Sequence, residues 1–208
     1  MLLVIKNFNI FSNKKNLIFF LPNFSQGGAG LSILKLCKNI SYKYFNVYII
    51  SIGKNYYKKD FKKMNFSIIE LNERRLLTSI NTIDKTIKDI IKKNGKKTFL
   101  ISNINYANAI SCFFFRKINK LKIITIERTP VQELNYYSSY FKYFKNITIK
   151  ILIKFFYKYA LIRIGNSDPV SRDLERICKC KVMTIIPYIK INKKKYKKFN
   201  KEHVNLSW

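Results

Sequence analysis

Acidic residues, histidine and long apolar runs are all scarce in this chain of 208 residues. It has 11 Asp and Glu residues against 41 Lys and Arg, and a single histidine, His203. One imidazole is too few for the paired histidine ligands of most zinc enzymes, and Cys178-x-Cys180 has no second cysteine pair at ligand spacing. No uninterrupted apolar run reaches the ~18 residues that a membrane-spanning helix needs. We therefore expect neither a zinc site nor a membrane span.

The excess of basic residues gives a formal net charge of +30 and allows two interpretations. Clustered lysine neutralises the phosphates of nucleic acid or of an anionic membrane surface. Alternatively, Lys, Asn, Ile, Phe and Tyr are enriched together, as in proteins encoded by A+T-rich genes. Lysine outnumbers arginine, the better bidentate reader of phosphate, and is spread along the chain apart from residues 190–201. This distribution favours the compositional interpretation over nucleic-acid binding, while a weak attraction to anionic lipid follows from the charge alone.

The amino terminus and the cysteines predict a cytoplasmic protein. Residues 1–10, MLLVIKNFNI, are interrupted by Lys6 and lack a following small-residue cleavage site. An irregular start or an extra strand is therefore expected there rather than a signal peptide. The four cysteines are expected to be buried free thiols, as in a reducing compartment. The positive charge extends this prediction to peripheral binding at the inner face of the plasma membrane.

Short apolar runs alternate with longer amphipathic segments between residues 16 and 189. The apolar runs are near-continuous in Ile, Leu, Val or Phe, which is typical of strands covered on both faces by helices. They predict strands at residues 17–21, 47–52, 67–71, 98–102, 123–127, 161–164 and 182–186. The amphipathic segments predict helices at residues 31–41, 76–93, 106–118, 143–159 and 170–178. Strands that alternate with helices predict an α/β fold with a doubly wound, mostly parallel, Rossmann-like sheet.

We predict three segments along the chain: an N-terminal extension (1–15), a Rossmann-like domain (16–189) and a basic linker or truncated tail (190–208). Inside the domain, two helix ends carry recognisable signals. Gly95 is expected to end the second helix, and Asp168 to cap the last one, followed by proline.

Residues 16–30, NLIFFLPNFSQGGAG, carry the clearest functional signal. An apolar strand leads through Pro22 into Gly27-Gly28-Ala29-Gly30, and apolar residues at helical spacing follow. A strand that feeds a glycine-rich turn opening a helix presents backbone N–H groups to a phosphate or a sugar. Glycine also permits positive φ and lets a ligand approach without a Cβ in the way. The segment predicts a ligand-facing turn, with a tight turn that binds nothing as the alternative.

Residues 147–164, ITIKILIKFFYKYALIRI, place Lys150, Lys154 and Lys158 on one helical face and apolar residues on the others. This pattern is typical of a basic amphipathic helix lying on a lipid surface. A helix packed on a sheet in a lysine-rich protein has the same pattern. We favour packing on the sheet, and the two arrangements can coexist at a membrane-facing edge.

Four segments, taken in order, resemble the N-terminal half of family 4 glycosyltransferases, which have the GT-B fold. They are the Gly27–Gly30 turn, residues 122–130 (KIITIERTP), residues 157–174 (YKYALIRIGNSDPVSRDL) and residues 182–189 (VMTIIPYI). The resemblance extends over about residues 17–191, nearly the whole chain.

The resemblance implies one half of a GT-B enzyme, the acceptor-binding domain of a retaining glycosyltransferase. Such an enzyme moves a sugar from a nucleotide-sugar donor to a surface-glycan or lipid-linked acceptor. The donor belongs to a separate domain, without which this chain is expected to be inactive. No metal or other cofactor is expected. The implied substrate-binding residues are Gly27, Gly28, Ala29, Gly30, Glu127, Arg128 and Ser167.

These residues have both ligand-binding and structural interpretations. Glu127 and Arg128 stand where many members of the family carry a histidine. Arg128 is expected to hold a phosphate or an acceptor hydroxyl and Glu127 to orient a hydroxyl, although an ion pair within the loop fits equally well. Ser167 can bond a ligand at the rim of the cleft, while capping of the following helix is assigned to Asp168. No catalytic base is assigned.

Two other functional classes compete with this interpretation. One is a non-catalytic basic protein that binds nucleic acid or an anionic membrane, whose DNA affinity would fall steeply with salt. The other is a dinucleotide-binding oxidoreductase. It fits poorly, because the Gly27–Gly30 turn does not match G-x-G-x-x-G and Gly53-Lys54, rather than an acid, follows the second strand.

Overall fold

The computed structural model describes residues 14–41 and 43–187. Its strands are β1 (Lys15–Phe20), β2 (Phe45–Ser51), β3 (Ser67–Glu70), β4 (Thr98–Asn103), β5 (Leu121–Glu127), β6 (Ile162–Gly165) and β7 (Met183–Thr184). All of them run parallel in one sheet with the order β3-β2-β1-β4-β5-β6-β7. The predicted doubly wound Rossmann-like fold is therefore confirmed, and the sheet is parallel throughout. Most of the predicted N-terminal extension and the whole of the predicted tail lie outside the described residues.

Six α-helices lie in the described part of the chain and connect the strands. They are α1 (Gly28–Cys37), α2 (Lys58–Lys63), α3 (Ile80–Asn94), α4 (Asn105–Phe114), α5 (Tyr140–Phe156) and α6 (Asp168–Cys178). Two 3-10 turns, Val131–Asn135 and Tyr157–Tyr159, flank α5. Five of these helices were expected from the sequence, and α2 was not.

The helices divide between the two faces of the sheet, with a separate hydrophobic core on each side. Alternate residues of β1 face opposite sides, as the period of a strand requires. Leu17 and Phe19 pack with α1 and α2, whereas Ile18 and Phe20 pack with α3, α4, α5 and α6. This division follows from the connections, because right-handed crossovers that lead in opposite directions from the middle of a sheet place their helices on opposite faces.

The helix ends confirm one sequence prediction and correct another. α3 ends at Gly95, whose left-handed backbone (φ 61°) is the predicted stop. For α6, Ser167 and not Asp168 occupies the cap position, and Asp168 lies in the first turn beside Pro169. The correction has a simple cause: the extended backbone that a cap requires falls on Ser167 (φ −158°), where β6 has just ended.

Helix α5 packs against α4 and α6 through one narrow buried face, so it does not lie wholly on a lipid surface. Ile149 and Ile153 are buried in the core shared with α4 and α6, and Tyr157 is buried just beyond the helix. Across residues 14–41 and 43–187, no helix combines the length and the apolar character needed to cross a bilayer.

Candidate functional site

The strand order places a crevice between β1 and β4 at the carboxyl edge of the sheet. From β1 the chain continues to β2 on one side, and from β4 it continues to β5 on the other. The connecting helices α1 and α4 pack on opposite faces, so their N-termini diverge at this point. In open α/β sheets, ligands bind in the crevice created by such a reversal.

The residues predicted for the site all lie along this carboxyl edge. The glycine-rich turn follows β1, Arg128 and Glu127 stand at the end of β5, and Ser167 follows β6. Strands β1, β4, β5 and β6 are consecutive neighbours, so one side of the sheet carries every predicted segment. Their binding roles stay predictions.

The loop between β1 and α1 is anchored by a buried aromatic residue. Phe24 is fully buried and its ring meets Phe61 of α2 edge-on at a centroid distance of 5.7 Å. Its carbonyl oxygen accepts a hydrogen bond of 2.9 Å from the backbone N–H of Tyr56. The loop is thus tied to the segment after β2, which fixes the backbone that leads into the glycine-rich turn.

The glycines of this turn have different environments. Gly27 caps α1 in an extended conformation (φ −75°), and none of Gly27, Gly28 and Gly30 has positive φ. The turn enters the helix directly from extended backbone, so it does not use the positive φ that glycine permits. A Cβ at Gly28 would meet no heavy atom within 4 Å, whereas one at Gly30 would lie 2.8 Å from Cε2 of Tyr57 and 3.2 Å from the carbonyl oxygen of Ser25. Gly28 leaves open space in front of the N-terminus of α1, and Gly30 is required by packing.

Substitution by alanine should separate these two roles. We expect Gly30→Ala to lower the free energy of unfolding by about 1–3 kcal/mol, because Tyr57 is buried and the added methyl overpacks it. Gly28→Ala should leave that free energy unchanged or raise it by up to about 1 kcal/mol, since alanine favours the helix. Urea unfolding followed by circular dichroism measures both, and equal losses for the two variants would contradict the assignment.

Arg128 presents a cation at the edge of the sheet without a counter-ion among the described residues. Its guanidinium is half-buried and donates to Oδ1 of Asn103, the last residue of β4, over 3.2 Å. Its Nε is buried without a hydrogen-bond partner in the described part of the chain, and burial lowers the pKa of the group. No carboxylate in residues 14–41 or 43–187 forms an ion pair with it. A planar donor in this state suits a carboxylate or phosphate that can accept two hydrogen bonds.

Glu127 lies on the opposite face of β5 from Arg128 and is fully buried. Its Oε1 accepts hydrogen bonds from Nδ2 of Asn108 (2.8 Å) and from the hydroxyl of Tyr157. Burial raises the pKa of Glu127 to about 7, although both hydrogen bonds act in the opposite direction. The ion pair within the loop, considered from the sequence, is not formed, because adjacent strand residues point to opposite faces. The side chain links β5 to α4 and to the turn before β6.

The segment after β6 contributes Asn166 and Ser167. The backbone N–H of Asn166 donates to the carbonyl of Glu127 over 3.1 Å, and its Oδ1 is buried without a partner among the described residues. Ser167 is half-buried and its hydroxyl makes no capping hydrogen bond to α6. Buried polar atoms without partners cost about 1–3 kcal/mol each, so groups of them are informative where a ligand could satisfy them.

Ile104 holds an unusual backbone conformation beside the crevice. It follows β4 directly, and its φ of 68° and ψ of 142° are rare for a β-branched residue. Its N–H donates to the carbonyl of Ile126, its own carbonyl accepts from Asn108, and its side chain touches both hydrophobic cores. Such conformations cost about 1–3 kcal/mol and concentrate at functional sites. The strained residue Ile104 lies where the two layers of helices separate.

Sequence reasoning missed Asn103, Ile104, Asn108, Tyr157 and Asn166. Asn103 and Asn166 had a usable signal, since Asn103 is a polar residue at the end of an apolar strand and Asn166 directly follows one. The conformation of Ile104 had none, because isoleucine gives no indication of positive φ. No group of three or more His, Cys, Asp or Glu side chains suited to a metal lies within residues 14–41 and 43–187.

Comparisons with known proteins support the fold. No protein family matches the sequence, and no curated protein matches it either. A glycosyltransferase from Rickettsia africae is 21% identical and aligns with a TM-score of 0.56 over 85% of this chain and 43% of its own. MurG from Acinetobacter baumannii (8% identical, 85% of this chain and 47% of its own) and a UDP-GlcNAc 2-epimerase from Methanocaldococcus jannaschii (9% identical, 84% and 45%) align with a TM-score of 0.49.

The chain spans less than half the length of each of these structures. The likeness to the Rickettsia protein concerns the fold, and membership of family 4 remains a prediction. The seven-stranded parallel sheet with its flanking helices is thus a Rossmann-like α/β domain of the kind found within a glycosyltransferase structure.

Proposed function

We propose that this chain is the acceptor-binding domain of a retaining glycosyltransferase of family 4. The enzyme moves a sugar from a nucleotide-sugar donor to a surface-glycan or lipid-linked acceptor. The fold supports this proposal, and the order of the four resembling segments adds the family. The single observation that carries the site is the guanidinium of Arg128 at the carboxyl edge of the sheet, which forms no ion pair within the described residues.

The proposed chemistry requires positive potential more than a protein nucleophile. Transfer from a nucleotide sugar develops negative charge on a departing diphosphate, and preorganised donors stabilise such charge. The donor domain is proposed to meet that charge, whereas Arg128 and the N–H groups at the N-terminus of α1 are proposed to donate to the phosphates of a lipid-linked acceptor. The open space at Gly28 allows an anionic or sugar group to approach that helix end.

The donor is proposed to bind a second domain, on this or another polypeptide. The chain covers 43% of the Rickettsia glycosyltransferase, so a second domain is consistent with the longer relative. One wall of a two-domain cleft cannot hold the donor and the acceptor in reacting geometry. Residues 1–208 alone are therefore proposed to bind an acceptor and to transfer little or no sugar.

Binding of a soluble lipid diphosphate tests this proposal. Geranyl diphosphate titrated into the ¹⁵N-labelled chain should shift the amide signals of Gly27 and Gly28 and the Nε–H signal of Arg128. Arg128→Gln should weaken the binding by roughly tenfold to a hundredfold, since a hydrogen bond to a charged group contributes about 1.5–3 kcal/mol. Arg74→Gln, which removes an exposed arginine from the loop after β3, is the matched control and should change nothing.

The same titration with UDP-glucose distinguishes acceptor binding from donor binding. We expect no saturable shift of these signals with the nucleotide sugar. If UDP-glucose bound at Gly28 more tightly than geranyl diphosphate, the chain would be assigned as the donor-binding domain instead of the acceptor-binding domain. Equal affinity of the Arg128→Gln variant and the unaltered protein for geranyl diphosphate would remove Arg128 from the site.

A further inference from the structure

An unusual number of aromatic side chains are exposed where the chain enters α5. Tyr140 is 87% and Phe141 81% exposed, and three neighbours are also exposed by more than half. We call this set the aromatic surface; it consists of Tyr136, Tyr137, Tyr140, Phe141 and Phe144. Scattered apolar residues on a surface are ordinary, but a contiguous group of this size indicates an interaction site.

The aromatic surface stands on a fixed backbone. Asn146 of α5 is buried, and its Nδ2 donates to the carbonyls of Leu134 (3.0 Å) and Tyr136 (3.3 Å). The hydroxyl of Ser139 caps α5 by accepting from the N–H of Lys142. The rings of Tyr137 and Tyr143 lie 4.7 Å apart. These contacts hold the rings outward while the polypeptide beneath them is tied to the core.

The charge around these rings has one sign. Between Glu133 and Asp168 the sequence contains no acidic residue. The same stretch carries basic residues at Lys142, Lys145, Lys150, Lys154, Lys158 and Arg163. Lys142 and Lys145 stand within the exposed first turns of α5, among the aromatic residues. Exposed aromatic rings interleaved with lysine suit the boundary between anionic headgroups and acyl chains.

The aromatic surface lies at the same edge of the molecule as the candidate site. Helix α5 connects β5 to the parallel strand β6, so it begins near the carboxyl ends of the strands and runs back toward their amino ends. Residues 136–144 therefore lie toward the carboxyl edge of the sheet, where Arg128 follows β5 and Ser167 follows β6. The basic face formed by Lys150, Lys154 and Lys158, considered from the sequence, lies further along the helix.

We propose that the aromatic surface docks the protein on an anionic phospholipid bilayer. The rings enter the headgroup region, and Lys142 and Lys145 bind the lipid phosphates beside them. A second copy of the chain would bring like charges together, because both copies carry lysine and no acid on this stretch. The role of this docking rests on the proposed function, because docking would place the candidate site beside a lipid-linked acceptor.

Vesicle co-sedimentation of the 208-residue protein tests the docking. We expect binding to vesicles that contain phosphatidylglycerol and at least tenfold weaker binding to phosphatidylcholine alone. The triple variant Tyr140→Ser, Phe141→Ser, Phe144→Ser should bind anionic vesicles at least tenfold more weakly than the unaltered protein. The matched control replaces three exposed residues in segments that adjoin β2 and β3, at the opposite end of the strand order from β5 and β6, and should bind normally: Tyr44→Ser, Tyr56→Ser, Leu77→Ser. Unfolding in urea verifies that both variants are folded.

Fluorescence quenching shows which residues enter the bilayer. Phe141→Trp and Tyr56→Trp are made in a Trp208→Phe background, so that each protein has a single tryptophan. Brominated lipid should quench the fluorescence of Trp at position 141 and leave Trp at position 56 unchanged. Equal quenching at both positions, or none at 141, would overturn the proposal, as would normal vesicle binding by the triple serine variant.

Two further measurements separate the competing occupants. The first is sedimentation velocity without lipid. If the unaltered protein is a dimer and the triple serine variant is a monomer, the aromatic surface would be assigned to binding a second copy. Salt-sensitive binding of single-stranded DNA that disappears in the same variant, without vesicle binding, would assign it to nucleic acid. Vesicle binding needs neither donor nor acceptor. It can therefore fail while Arg128 still binds geranyl diphosphate, or persist when that binding fails.

Discussion

Replacing Gly165 with alanine should destabilise this protein more than any other glycine substitution in the described part of the chain. Gly165 ends β6, where the first turn of α6 crosses directly over the strand. An added Cβ would lie 2.3 Å from Oγ of Ser171, 2.9 Å from its backbone nitrogen and 3.0 Å from its Cα. Two of these atoms are backbone and cannot rotate away. We expect a loss of about 3 kcal/mol or more in the free energy of unfolding.

Second-site substitution tells whether the side chain or the backbone causes that loss. Ser171→Ala removes Oγ, the nearest atom, together with its 2.9 Å hydrogen bond with Oγ1 of Thr184. In the Gly165→Ala background it should recover only part of the lost stability, because the contacts with the nitrogen and Cα of residue 171 remain. Full recovery would mean that the hydroxyl alone produced the clash.

Gly53→Ala is the control for this experiment. Gly53 follows β2, and a Cβ there would meet no heavy atom within 4 Å. The free energy of unfolding of the Gly53→Ala variant, measured in urea, should differ from that of the unaltered protein by no more than about 0.5 kcal/mol. A loss at position 53 equal to that at position 165 would show that glycine matters in these loops through backbone freedom and not through space.

The contrast among the glycines also explains what a sequence can and cannot predict here. The largely buried strands β1, β4 and β5 produce near-continuous apolar runs, and the more exposed edge strands β3 and β7 lie within apolar runs as well, so all seven predicted strands are present. Gly28 and Gly30, by contrast, stand two residues apart in one glycine-rich turn, and their difference depends on Tyr57 from another segment. Packing between distant segments is invisible to local patterns.

Helix α2 and Glu127 were missed or misplaced for related reasons. The six residues of α2, KKDFKK, offer a single apolar residue, so no helical period can be counted. The contact of Phe61 with Phe24 supplies what the pattern lacks. Glu127 and Arg128 were considered together as one polar motif, but the alternation of the strand separates them, one into the core and the other toward Asn103. The sequence could indicate that both residues lie at the edge of the sheet. Which face of the sheet each side chain points to depends on the register of the strand.

Burial of Glu127 should make the protein less stable as pH rises from about 4.5 to 7. The folded protein holds this carboxyl with a pKa of about 7, above the value of 4.5 expected when unfolded. Within this window the folded state therefore binds more protons than the unfolded state. The free energy of unfolding falls as pH increases and levels off above about pH 7. At 1.36 kcal/mol per pH unit, the full contribution is about 3 kcal/mol.

Other titratable groups beside Glu127 do not titrate in that window. Burial raises the pKa of the Tyr157 phenol and of the Cys112 thiol, and the nearby carboxylate raises both further. Both groups therefore stay neutral between pH 4.5 and 8. The titration in this cluster belongs to the carboxyl group, whose second oxygen, Oε2, has no hydrogen-bond partner among the described residues.

Glu127→Gln isolates the effect, because the amide keeps the shape and one acceptor oxygen for Asn108 and Tyr157 without a charge. The difference in unfolding free energy between this variant and the unaltered protein should grow in favour of glutamine by about 3 kcal/mol between pH 4.5 and 8. Taking this difference removes the contributions of all other titratable groups. Urea unfolding at a series of pH values gives it directly, and a difference that does not depend on pH would contradict the raised pKa.

Tyr157→Phe provides the complementary test of the same carboxyl group. Its hydroxyl donates to Oε1 of Glu127 and so favours the ionised form. Without that donor the folded pKa of Glu127 should rise further, and the fall in stability should extend to higher pH than in the unaltered protein. In a Glu127→Gln background the Tyr157→Phe substitution should lose its influence on the pH profile. The pair of variants thus assigns the titration to the contact between β5 and the turn before β6, the contact that holds the Arg128 edge of the sheet in place.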